Sequence, residues 1–297
     1  MSYTNLSHLF TLKVKNRLGE GVLWDEKQQV ILWTDIEAAK LYQFNVKNRV
    51  VESIKLPERL GSFGLTTQES VLICAFESGF ALLELRTEEV TWLIKIEENN
   101  PGTRMNDGRV DRNGVFWAGT MVEDESTAID KAALYSINQN FVVQQHLTGL
   151  TISNGLCWSP DGKVTYFADS PTHKIVSFDN QQTITPQSAA MSLVETAPEH
   201  FPDGSCVDKF GNLWNALWGS GLVNCFSPQG ELLLSLPLPV SQPSCVSIGG
   251  PNMDWLLITS ASQLNDEQKI AEPEAGNLFV YQLDESLGLV EPRFKLS

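Results

Sequence analysis

Basic residues are in short supply in this 297-residue chain. Only 21 Lys and Arg stand against 36 Asp and Glu, for a formal net charge of −15. A surface of that sign repels phosphate backbones and anionic lipid, which argues against nucleic-acid and membrane partners. Long apolar runs are missing too. Nowhere do about 18 apolar residues follow one another, so no membrane-spanning helix is expected. The opening MSYTNLSHLFTLKVKN lacks the basic start and long apolar stretch of a secretory signal, and the expectation is a soluble, cytoplasmic protein.

Cysteine is sparse and scattered. Cys74, Cys157, Cys206, Cys225 and Cys245 form no CxxC pair and are odd in number, which speaks for reduced core residues and against a zinc–thiolate site. Histidine is scarcer still. His8, His146, His173 and His200 show no metal-ligand spacing; His200, close to Asp203, is the one that could line a pocket. There is no GxSxG elbow, HExxH, Walker A sequence or GxGxxG after a strand, and the chemistries those motifs carry lose their footing. No stretch carries a long 3.6-residue apolar stripe, so helix content should be low.

What is present is a repeat. The segments EGVLWDEKQQVILWTDI, FGLTTQESVLICAF, DGRVDRNGVFWAGTM, NGLCWSPDGKVTYFADS, DGSCVDKFGNLWNALW and PSCVSIGGPNMDWLLITSA share one plan: a polar residue, a small residue, an apolar strand, a turn and a second strand. The small residues are Gly21, Gly64, Gly108, Gly155, Gly204 and Ser244, spaced 43, 44, 47, 49 and 40 residues apart. Six units of that length suit four-stranded blades. The fold expected is an all-β, six-bladed β-propeller of antiparallel blades occupying residues 1–297 as one domain, in preference to a β-sandwich. The turns Arg112–Gly114, Pro160–Gly162 and Lys209–Gly211 read as hairpins. Third strands are expected around residues 40–44, 133–137 and 174–178. Residues 6–15 alternate like a strand and are expected to join the blade built by residues 245–283, closing the ring and removing a free edge. Residues 262–275 read as a surface loop.

In a propeller the first strand of each blade lines the central channel, so equivalent positions of distant units converge. Just before the six small residues stand Glu20, Phe63, Asp107, Asn154, Asp203 and Pro243, with Asn106 one residue further back. Converging carboxylates repel each other and are costly to desolvate, a cost that a bound divalent cation relieves. Oxygen ligands suit Ca²⁺, Mg²⁺ or Mn²⁺ without excluding Zn²⁺ or Fe²⁺. Asp-Gly and Asn-Gly are also common turn dipeptides, but four polar residues in one phase of a sixfold repeat favour a metal site. Arg104, two residues before Asn106 on an extended segment, faces the same side and either enters the mouth or forms a surface ion pair.

GEGVLW with Glu20, RMNDGRVD from Arg104 to Asp111, FWAGTM, ISNGLCWSPDG, YFADS, FPDG and EPEAGNLF occur in this order between about residues 17 and 281. Together they resemble the gluconolactonase, regucalcin and luciferin-regenerating-enzyme family. The resemblance implies a propeller with one divalent metal at the channel mouth, held by Glu20, Asn154 and Asp203, with Arg104 and Asn106 on substrate-binding positions. Asp124 falls where some members place a substrate-contacting glutamate, and its shorter side chain leaves sugar recognition open. Val22 departs from the family's usual proline; Cys157 and Cys225 are packing variations. The implied reaction is hydrolysis of a small sugar lactone to an aldonate, with Asp203 as general base. Another metal-dependent ester or phosphotriester hydrolase, or a calcium-binding regulatory propeller, are the competing readings. A closed ring needs no partner to cover its edges, so a monomer or weak homo-oligomer is expected.

Overall fold

The computed structural model describes residues 6–124, 126, 128, 131–180, 184 and 190–296. The outermost residues of the 1–297 expectation therefore lie outside the described ones. In chain order the strands are β1 (Ser7–Leu12); β2–β5 (Gly19–Asp25, Val30–Asp35, Lys40–Asn45, Val50–Lys55); β6–β9 (Leu60–Leu65, Val71–Phe76, Gly79–Glu84, Glu89–Ile94); β10–β13 (Thr103–Val110, Phe116–Val122, Ala132–Ile137, Val143–Leu150); β14–β17 (Ser153–Trp158, Val164–Asp169, Lys174–Asp179, Met191–Glu195); β18–β21 (Phe201–Val207, Leu213–Trp218, Leu222–Phe226, Leu232–Pro237); and β22–β24 (Pro243–Gly249, Trp255–Ser260, Leu278–Gln282). They form six four-stranded antiparallel sheets, the blades of a six-bladed β-propeller. The first five use consecutive strands. The sixth runs β22-β23-β24-β1, so the N-terminal strand closes the ring against β24, with Phe10 opposite Val280 and Leu12 opposite Leu278.

The sequence explains the blades locally. Asp111 accepts the turn amides of Asn113 and Val115 through Oδ1 and the Trp117 indole through Oδ2. Asp208 repeats the arrangement one blade pair later with Phe210, Asn212 and Trp214. An Asp at the end of an inner strand thus fixes the hairpin and the aromatic of the next strand together.

The core is not one central mass but six seams. Leu32 and Phe63 meet between blades 1 and 2, Phe80 and Phe116 between 2 and 3, Trp117 and Phe167 between 3 and 4. Tyr166 and Phe226 meet between 4 and 5, Trp214 and Phe279 between 5 and 6, and Trp33 and Val280 complete the circle. Each seam buries apolar area, at about 25 cal/mol per Å², only when both neighbouring blades are in place. The axis is left to shorter, more polar side chains. All five cysteines are buried and free, as expected.

Two features depart from the sequence reading. The expected 262–275 loop contains a short helix, α1 (Asp266–Ala271), started by an Asn265–Gln268 capping box. Residues 287–296 cross the end of the channel where the inner strands finish. The Arg109 guanidinium pairs there with Glu291 at 2.8 Å, Arg293 with Asp25 at 2.7 Å, and the buried Phe294 exchanges backbone hydrogen bonds with Leu65 and Thr67. No helix among the described residues is long and apolar enough to cross a membrane.

Candidate active site

The opposite end of the channel is ringed by the beginnings of the inner strands β2, β6, β10, β14, β18 and β22. Each carries a register shift there, among them Glu20 to Leu23, Met105 to Gly108, Asn154 to Cys157 and Pro202 to Ser205. A bulge frees side chains from simple alternation and re-aims them. Glycines make two of these bulges possible: Gly21 and Gly155 sit at φ 59° and 66°, a backbone region that a Cβ disfavours. Glu20 and Asn154 directly precede them.

These re-aimed residues open on a cavity of about 570 Å³. Glu20, Arg104, Asn106, Asn154 and Asp203 all line it, and Leu18, Met121, Ile152, Phe201 and Trp218 supply apolar walls. The volume falls within the usual range for small-molecule sites.

Arg104 is 3 % exposed, so the surface ion pair considered for it does not describe its setting. Its Nη1 donates to Asn106 Oδ1 at 2.7 Å and to the Met105 carbonyl, while Nε pairs with Glu123 Oε1 at 3.0 Å. Asn106 in turn donates through Nδ2 to Asn154 Oδ1 and the Ser153 carbonyl, both at 3.0 Å. Beyond Glu123, Arg59 forks onto both carboxylate oxygens of Glu123 and of Glu77.

Two of the acids that line the mouth, Glu20 and Asp203, are in an unfavourable state. Burial, and then the charge of Asp107, push the Glu20 carboxyl up to about 8. Burial followed by the charges of Glu20 and Asp107 holds Asp203 well above the ordinary carboxylate range. The compensating charge felt by both is that of Arg104, whose ion pair is with Glu123 rather than with either acid. Asp203 thus feels the charge of Glu20, both feel that of Asp107, and the mouth favours a proton or another positive charge.

That donor set fits a hard divalent cation: two carboxylates and a carboxamide oxygen, with charge to match. Among the described residues no three His, Cys, Asp or Glu side chains are grouped to hold an ion. A cation here would depend on the Asn154 amide as its third protein donor.

Other expectations land elsewhere. Asp107 does not line the cavity: it sits one residue further along the bulge, and its Oδ2 accepts the Leu156 amide at 2.9 Å. Asn106 takes the place that its phase suggested for Asp107. Asp124 is exposed, and its Oδ1 accepts from the backbone and hydroxyl of Ser126; the acid that faces Arg104 is Glu123. The His200 side chain is absent from the cavity lining. Sequence reasoning passed over Glu123 and Ser170, both of which line the cavity. Each had a signal: Glu123 lies two residues beyond Met121, which stands opposite Arg104 in the sheet, and Ser170 ends the YFADS motif.

A six-bladed propeller with an acid-lined, amide-rich mouth opening on a small-molecule cavity defines the class of protein. The chain belongs to the SMP-30/gluconolactonase/LRE-like family, whose model matches residues 18–262. It is 33% identical over 282 residues to the L-arabinolactonase of Azospirillum brasilense, covering 94% of this chain and 93% of that protein. It is also 33% identical over 275 residues to the regucalcin of Danio rerio, covering 90% and 91%. The crystal structure of a calcium-binding protein, regucalcin from Agrobacterium tumefaciens, superposes with a TM-score of 0.88 at 26% identity, covering 97% of this chain and 98% of that one.

Proposed function

We propose that this protein hydrolyses a sugar lactone to its aldonic acid with the help of one divalent cation held by Glu20, Asn154 and Asp203. The observation that carries the reading is the burial of Glu20 and Asp203, both raised in proton affinity and neither ion-paired among the described residues, at a mouth that also holds Arg104 and Asn106. When bound, the cation would supply Lewis-acid polarisation of the lactone carbonyl.

The chain's own groups account for the rest. Asp203 takes the proton of the attacking water. Glu20 balances charge. Arg104, fixed by Glu123 and Met105, offers its guanidinium to the ring ester or sugar hydroxyls, and Asn106 adds an amide beside it. Phe201, Trp218 and Ile152 offer apolar surface for the sugar ring to pack against. The similarity to an L-arabinolactonase supports this reading. A calcium-binding role without turnover is the second reading, favoured by the similarity to a calcium-binding regucalcin. It leaves the roomy cavity and Arg104 without a task.

A panel of pentono- and hexonolactones assayed after exhaustive chelation, and again with Ca²⁺, Mn²⁺ or Zn²⁺ restored, tests the proposal. Turnover should vanish on chelation and return with at least one ion. Full turnover without metal would overturn the cation's role, and none with any ion would favour the binding protein.

A further inference from the structure

We infer that Ser170 is a positioning residue that sets which end of the Asn154 carboxamide is available to a cation at the channel mouth. The inference rests on the cation reading proposed above. Ser170 opens the 3₁₀ turn Ser170–Thr172 after β15, and its backbone amide is tied to the Ile152 carbonyl at 3.0 Å. It is buried, and its Oγ donates to the Pro202 carbonyl at 2.6 Å. A carbonyl only accepts, so the single Ser170 hydroxyl proton is committed there. Towards Asn154 Ser170 can therefore only accept, and it receives Asn154 Nδ2 at 2.9 Å.

The other end of the chain of hydrogen bonds agrees. A guanidinium only donates, so Arg104 Nη1 fixes Asn106 with Oδ1 towards Arg104 and Nδ2 towards Asn154 Oδ1. The Pro202 carbonyl and the Arg104 guanidinium thus impose one direction on four consecutive hydrogen bonds, and both amides have a single permitted flip. With Nδ2 occupied by Ser170, Asn154 keeps its oxygen on the side shared with Asn106. Asn106 favours the same orientation from the other end, so without Ser170 the amide keeps one restraint instead of two and its buried N–H₂ loses its acceptor. Asn154 is held as the third donor by Ser170 and Asn106 together.

Calorimetric titration of the chelated full chain with Ca²⁺ and Mn²⁺ tests this without any assay of turnover. Ser170→Ala should weaken binding by about ten- to hundredfold, as loss of a partner behind a ligand does. A carboxylate has oxygen at both ends, so in an Asn154→Asp background the same Ser170→Ala change should cost less than about threefold. A loss equal in both backgrounds, or affinity unchanged in the Asn154 background, overturns the role of Ser170. If Ser170→Ala does not fold, Ser170→Cys, which fills the space with a weak acceptor, carries the same comparison. A wild-type protein that binds neither ion sinks the cation reading itself, which separates that failure from the failure of the Ser170 role.

Discussion

The two ends of the channel solve the problem of charge in opposite ways. At the base, Arg109 and Glu291 pair at 2.8 Å, and Arg109 also donates to the Ser205 carbonyl and Ser247 Oγ. The C-terminal segment lies over that pair, so charge there is closed within the chain. At the mouth, Glu20 and Asp203 are just as buried, but the charge of Asp107 raises the proton affinity of both, that of Glu20 raises Asp203 further, and Arg104 is engaged by Glu123. One end satisfies itself; the other is left needing something from outside. A fold that can compensate buried charge at its base and does not do so at its mouth has spent stability on a site.

Substitutions should split along that line. Asp203→Ala and Glu20→Gln are expected to cut kcat for a sugar lactone at least about a hundredfold, measured at saturating metal. In metal-free buffer they should leave the melting temperature unchanged or higher, because a repulsion is removed. Glu291→Gln should do the reverse. Leaving the Arg109 charge without its partner costs about 2–3 kcal/mol, below the range for a fully buried pair because both side chains are 13 % exposed. Thermal denaturation should register that loss while turnover per folded molecule stays within about twofold. If Glu291→Gln lost activity as heavily as Asp203→Ala, the division between the two ends would fail.

A smaller effect sharpens the comparison through pH. Because the folded Glu20 holds its proton to about 8 rather than the ordinary 4.5, the native state binds more protons than the unfolded one in between. Stability without metal is therefore present at low pH and lost as pH rises through that window. The metal-free protein should melt about 5 °C lower near pH 9 than near pH 5, and excess divalent cation should shrink the difference. A melting temperature that rises over that range without metal would contradict the electrostatic picture of the mouth.

The sequence carried the architecture because a propeller repeats. Six units in one phase announced six blades, and the alternating strand at residues 6–15 announced the closure with β24. The same phase argument brought Glu20, Asn154 and Asp203 to one cavity. It misplaced Asp107 because periodicity does not fix where a bulge falls: in β2 and β14 the shift takes in the small residue, whereas in β10 it lies before Gly108 and leaves Asn106 at the mouth. The family resemblance pointed to Asp124, whereas the acid paired with Arg104 is its neighbour Glu123, held there by the end of β11 and by Arg59 from another blade. The C-terminal seal over the base lies beyond the repeat, and no phase argument reaches it.

Anomalous diffraction from crystals soaked in Mn²⁺ puts the account at greatest risk. A single strong peak coordinated by Glu20, Asn154 and Asp203, with none at the Arg109–Glu291 end, is the result predicted. A mouth that stays empty at saturating Mn²⁺, or a peak bound by other residues, would contradict it.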